Sequence, residues 1–172
     1  MIMTAGNNTR SIAVLFVCLG NICRSPLAEA ALRAIAEREK LDIVVDSAGT
    51  GDWHIGHPPD ARAQEVAQKL GRLSIGSLQA RQVSAEDFDR FDHILAMDAS
   101  NFRDLRTMQP PGSSAQLSMF LDYLSGNEGG SVADPYYGDE ADFEACWRQV
   151  SAAAEGFVAD RRASTSSALR FL

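Results

Sequence analysis

A chain of 172 residues, 45% hydrophobic and 23% charged, suits one soluble globular domain with a core of its own. Its formal charge of −7 leaves no excess of Lys and Arg to neutralise a nucleic-acid backbone. No run approaches the roughly 18 apolar residues of a membrane span, and the sparse set Cys18, Cys23 and Cys146 is no secreted disulfide framework.

Residues 1–11 are polar and lack the basic-then-apolar order of a secretory signal, so they read as a flexible leader on a cytoplasmic protein. Ile12 to Val17 is a short continuous apolar run, which suits a strand buried on both faces. Ser25-Pro26 opens a helix, with Pro in the first turn and Ser placed to cap. Leu27, Ala30, Ala31, Ala34 and Ile35 then recur at helical spacing to about Lys40. Ile43 to Val45 is a second strand, running into Asp46-Ser47-Ala48-Gly49. A Gly/His/Pro-rich loop to Pro59 precedes a helix from Asp60 to Leu70, closed by Gly71.

Ser84 followed by Asp87 marks a short helix, His93 to Met97 a third strand, and Asp98 to Met108 a helix stopped by Pro110-Pro111. Leu117 to Leu121 is expected as the fourth strand. An irregular stretch from Ser125 to Gly138 leads into a terminal helix from Glu140 to Arg162, and residues 163–172 read as a loose Ser/Thr-rich tail. Strands alternating with helices predict one α/β domain over residues 12–162, a parallel sheet with helices on both faces. Ligands of such sheets bind beyond the carboxyl ends of the strands, which directs attention to Cys18–Ser25.

That segment reads Cys18-Leu19-Gly20-Asn21-Ile22-Cys23-Arg24-Ser25, closing on a helix start. A loop of this length can curl around a tetrahedral oxyanion, its backbone N–H groups turned inward and the helix N-terminus adding positive charge. Gly20 and Asn21 tolerate the left-handed backbone such a curl demands. Arg24 can grip two phosphate oxygens in its planar fork. Cys18 lies at the centre, where helix dipole, backbone donors and Arg24 favour thiolate over thiol, and a Ser25 hydroxyl can hold that thiolate. A thiolate attacking a phosphate ester expels an oxyanion that needs a proton, so a general acid belongs on another strand-end loop. Asp134, in Asp134-Pro135-Tyr136-Tyr137-Gly138, is the candidate: Pro135 stiffens the turn and the loop is long.

Together these segments, with Asp46-Ser47-Ala48-Gly49-Thr50, Ala80-Arg81-Gln82 and Met97-Asp98, resemble the low molecular weight protein tyrosine phosphatases over about residues 12–160. The resemblance implies a four-stranded parallel, Rossmann-like sheet of the phosphatase I type. It implies hydrolysis of phosphotyrosine through a phosphocysteine on Cys18, with Asp134 as acid and then base, and no metal or cofactor. By the same resemblance Asn21, Ser25 and Ser47 brace the loop, Trp53, Tyr136 and Tyr137 wall the pocket, and His54 sits at its rim. Cys23 matches a family cysteine that traps oxidised Cys18 as a disulfide, whereas Cys146 reads as packing. The implied partners are phosphotyrosine-containing proteins, with inorganic phosphate as product and inhibitor, no nucleic acid, no membrane insertion, and a monomer or weak dimer.

One position departs from the pattern: Leu78 stands where family members carry a His of the bracing network. Two rival activities share this fold. An arsenate reductase needs a relay of two closely spaced downstream cysteines, and only Cys146 follows Cys23. Phosphoarginine phosphatases carry Thr where this chain has Ile22, which favours tyrosine.

Overall fold

The computed structural model describes residues 10–169, with side chains to residue 167. Four strands, β1 (Ile12–Cys18), β2 (Ile43–Gly49), β3 (His93–Ala96) and β4 (Gln116–Met119), form one sheet in the order β2-β1-β3-β4. Every neighbouring pair is parallel. Helices α1 (Arg24–Glu39), α2 (Ala61–Gly71), α3 (Asp87–Arg90), α4 (Ala99–Met108) and α5 (Glu140–Leu169) complete the fold.

Strand β1 shows why the sheet is covered twice. Side chains alternate across a strand, and here both sets are apolar. Val14 and Phe16 join a core built with Leu27, Leu32 and Ile35 of α1, Val66 of α2 and Phe143, Val150 and Phe157 of α5. Leu15 and Val17 face the other way, onto Phe88 of α3 and Leu105 of α4. The chain leaves β1 between the strand before it and the strand after it in the sheet, so the Cys18–Ser25 loop sits at the point where strand order reverses.

Several boundaries differ from the sequence reading, each for a local reason. Helix α1 starts at Arg24 with Cys23 as its N-cap and no side-chain cap bond; the Ser25 hydroxyl is turned toward Cys18 instead. Helix α2 ends on Gly71, and it is Arg72, at φ 54°, that takes the left-handed cap. Strand β4 stops at Met119, and Phe120–Tyr123 forms a 3-10 turn that buries Phe120 and Leu121. The Ser/Thr-rich segment after Arg162 is not loose: α5 continues to Leu169. Of the leader, residues 1–9 lie outside the described residues. Among the described residues no helix is long and apolar enough to cross a membrane.

Candidate active site

Cys18 ends β1 and Arg24 begins α1, so the residues between them turn around a space at the helix N-terminus. The outer side of the turn is fixed by the neighbouring chain. Thr50 N–H donates to the Cys18 carbonyl at 2.9 Å, Gly51 N–H to that of Leu19 at 2.9 Å, and Asp60 N–H to that of Ile22 at 2.8 Å. With these carbonyls drawn outward, the N–H groups of Gly20, Ile22 and Cys23 find no acceptor among the described residues. Free amides at a helix N-terminus make a nest for an anion.

The left-handed residue of the curl is Asn21, at φ 57°. Gly20 serves otherwise: a Cβ there would meet His54 Cδ2 at 3.0 Å, so glycine lets the imidazole lie against the loop. Asn21 is also the hub of the bracing. Its Nδ2 donates to Ser25 Oγ at 2.8 Å and Ser47 Oγ at 2.9 Å, while its Oδ1 accepts from Arg81 N–H at 2.9 Å. Ser47 passes its own hydroxyl proton toward Glu29 Oε2 at 2.5 Å, and Glu29 Oε1 pairs with Arg33 at 2.6 Å. Burial raises the Glu29 carboxyl above its ordinary value, against the Ser47 hydrogen bond and the Arg33 charge that lower it. Leu78 packs against the core, and Arg33 supplies the second partner of Glu29.

These donors converge on the buried sulfur of Cys18. Ser25 Oγ stands 3.0 Å from Sγ, and Asn21 N–H donates to it at 3.3 Å. Ser25 Oγ already accepts from Asn21, so its proton is left for the sulfur at 3.0 Å or the more distant Ala48 carbonyl at 3.4 Å. Cys23 and Cys146 are buried free thiols as well. Burial, then Asp60, pushes Cys23 far up, and burial pushes Cys146 up to about 12. Both are thereby held as neutral thiols.

Arg24 is 3% exposed and committed on one edge. Its Nη1 donates to Asp98 at 2.6 Å and to the Val132 carbonyl at 3.1 Å; its Nη2 lies 3.4 Å from Asp134. A guanidinium has five N–H donors, so Nε and one Nη2 hydrogen remain as a fork for two oxygens. Burial acts to lower the Arg24 guanidinium, but the adjacent Cys18 and the Asp98 hydrogen bond leave it above its ordinary value. Asp98 owes its position to α4: as N-cap it accepts Asn101 N–H on Oδ1 and presents Oδ2 to Arg24. Asp134 lies on the 131–139 loop, where its Oδ1 accepts Tyr136 N–H at 3.1 Å in an Asx turn.

A pocket of about 400 Å³ unites these groups, with Cys18, Gly20, Ile22 and Arg24 on its floor side and Trp53, His54, Asp134, Tyr136 and Tyr137 around it. Leu19 and Cys23 line it too. Asn21, Ser25 and Ser47 lie beneath, in the bracing network rather than the pocket. Trp53 stacks over Gly51, where any Cβ would fall 1.9 Å from its ring. Tyr136 and Tyr137 meet edge to face at 4.9 Å. Sequence reasoning missed the roles of Asp98, Glu29, Arg81 and Gly51. The one signal that could have found the first is that Asp98, read as opening a helix, is of a residue type favoured at the N-cap.

A family model described as "Low molecular weight phosphotyrosine protein phosphatase" matches residues 13–166. A protein of that name from Schizosaccharomyces pombe is 44% identical over 153 residues, covering 87% of this chain and 97% of the relative. The crystal structure of YfkJ from Bacillus subtilis superposes with a TM-score of 0.83 at 42% identity, covering 91% of this chain and 98% of that one. A drosophila arginine phosphatase superposes with a TM-score of 0.80 at 35% identity, over 86% of this chain and 96% of its own. With the matching model spanning nearly all of the fold, and such identity to full-length relatives, the chain belongs to the low molecular weight protein tyrosine phosphatase family.

Proposed function

We propose that the protein hydrolyses phosphotyrosine in protein substrates in two steps. The observation that carries this reading is a single pocket in which a braced Cys18 sulfur, the free fork of Arg24 and Asp134 face one another between aromatic walls. The phosphate enters the nest of loop amides and takes the Nε/Nη2 edge of Arg24. The Cys18 thiolate attacks phosphorus, the bond to the phenolic oxygen breaks, and Asp134 delivers its proton to that oxygen. Water then attacks the phosphocysteine while Asp134 takes the water's proton. The sulfur leaves as a thiolate stabilised by the Ser25 hydroxyl and the Asn21 N–H. Walls from Trp53 and Tyr136 suit an aryl ester long enough to reach the buried sulfur. The reading includes a cytoplasmic protein that works as a monomer or weak dimer.

Aryl phosphate hydrolysis abolished in Cys18→Ser and slowed about 10²–10⁴-fold in Asp134→Asn, with poor leaving groups slowed most, is the expected result. Equal slowing for good and poor leaving groups removes Asp134 from the acid role. Likeness to an arginine phosphatase favours a second reading, hydrolysis of phosphoarginine. Release of phosphate from phosphoarginine peptides and not from phosphotyrosine peptides would establish it.

A further inference from the structure

Six large apolar side chains are exposed among the described residues, and four of them, Leu19, Trp53, Ile55 and Tyr137, line the pocket just described or follow directly on a residue that does. Three line it; Ile55, 55% exposed, follows directly on the lining His54. Two of the four are propped from behind. Trp53 lies on the bare backbone of Gly51, and Tyr137 stands edge-on against Tyr136. Aromatic side chains turn about only two χ angles, so covering them costs little conformational entropy.

The two loops that supply the pocket walls carry charge of one sign. Loop 49–59 carries Asp52 and loop 131–139 carries Asp134 and Asp139, with no Lys or Arg in either. Arg62, which reaches loop 131–139 from outside it, is already bound by both oxygens of Asp60 and by the carbonyls of Tyr136 and Gly138. His54 lines the pocket too, and its ring centroid lies 6.1 Å from that of His57. Whatever fills the pocket continues across this surface: consecutive Cα atoms are about 3.8 Å apart, so residues one or two places from a bound phosphotyrosine lie over the rim.

We infer that the pocket mouth is a specificity surface that selects phosphotyrosines flanked by apolar side chains and rejects those flanked by carboxylates. The inference rests on the phosphotyrosine reading above and narrows it to a class of peptide. An apolar flank covers Leu19, Ile55 and the two aromatic rings, removing apolar surface from water. An acidic flank meets walls whose two loops carry carboxylates and no Lys or Arg to answer it.

The test compares three substrates: 4-nitrophenyl phosphate, a phosphotyrosine peptide flanked by Leu and Phe, and the same peptide flanked by Asp and Glu. The wild type is expected to favour the apolar peptide about 10-fold in kcat/KM. Ile55→Ser should lower kcat/KM for the apolar peptide about 5-fold, through KM, and leave 4-nitrophenyl phosphate unaffected. Asp52→Asn should raise the acidic peptide about 2-fold. Equal use of both peptides by the wild type, or equal loss for peptide and 4-nitrophenyl phosphate in Ile55→Ser, overturns the inference and leaves the phosphatase reading standing. Failure to hydrolyse any of the three fells that reading, and this one with it.

Discussion

The two ends of the sheet each bury a polar cluster, and they are built on different principles. At the carboxyl end, Asn21, Ser25, Ser47 and Glu29 form a chain in which every hydroxyl and amide has a directed partner. At the amino end, His93 opens β3 against Phe157 and Arg161. There His93 Nδ1 and Arg161 Nε are buried without a partner among the described residues, and the one contact between the two side chains is a long 3.5 Å. The difference teaches that polar burial alone does not mark a site. A satisfied, one-directional network rigidifies what it surrounds, whereas a half-satisfied one is only tolerated.

The contrast breaks most visibly at Arg24. Arg24→Lys keeps a positive charge but cannot serve Asp98, the Val132 carbonyl and a phosphate fork together, so kcat/KM for an aryl phosphate should fall about 10²–10³-fold. A loss below 10-fold in steady-state kinetics would show that the charge alone suffices. Next comes the hub. Asn21→Ala removes three buried side-chain hydrogen bonds and puts a Cβ-bearing, non-polar residue at φ 57°, so unfolding should become easier by about 3 kcal/mol. Urea midpoints measure this, with Asn21→Gly separating the backbone share from the hydrogen-bond share.

The smallest effect belongs to the amino end. His93→Phe should change stability at pH 7 by no more than about 1 kcal/mol, since an unpartnered ring nitrogen goes with the loss. Its signature is in pH. Burial, then Arg161, holds the His93 imidazole below its ordinary 6.5, against Asp92 and Asp160. A depressed imidazole contributes stability above that value and loses it as the unfolded chain takes up the proton. The wild-type Tm should therefore fall from pH 7 toward pH 5, and fall less in His93→Phe. Glu29 works with the opposite sign: its raised carboxyl favours the fold below the ordinary glutamate range and costs stability as pH rises through it. A wild-type Tm independent of pH over this range would make the two ends alike.

Much of this was legible in the chain because it is local. The strand, the curl and the helix start that hold Cys18 and Arg24 are contiguous, and a run such as Ile12 to Val17 states its burial directly. Asp134 was a candidate because the chemistry asks for a proton donor on another strand-end loop, and Asp134-Pro135 stands in a long one. The residues that aim these groups were not legible, since Asp98 acts on Arg24 across 74 positions and Arg81 on Asn21 across 60. Position along the chain says nothing of such pairings. The terminal helix was cut short for a different reason: Ser164, Thr165 and Ser167 are weak helix formers, but a helix already nucleated on a packed face extends through them.

The bonds from Thr50, Gly51 and Asp60 to the outer carbonyls of the loop carry a thermodynamic consequence. They join the chain to itself and use no group of the oxyanion, so calorimetry of phosphate uptake should record the small heat-capacity change of a solute meeting a finished surface. Tetrahedral geometry and charge are what such a cradle measures. Vanadate, which can expand to the trigonal bipyramid of the transferring phosphorus, should outcompete sulfate, which cannot.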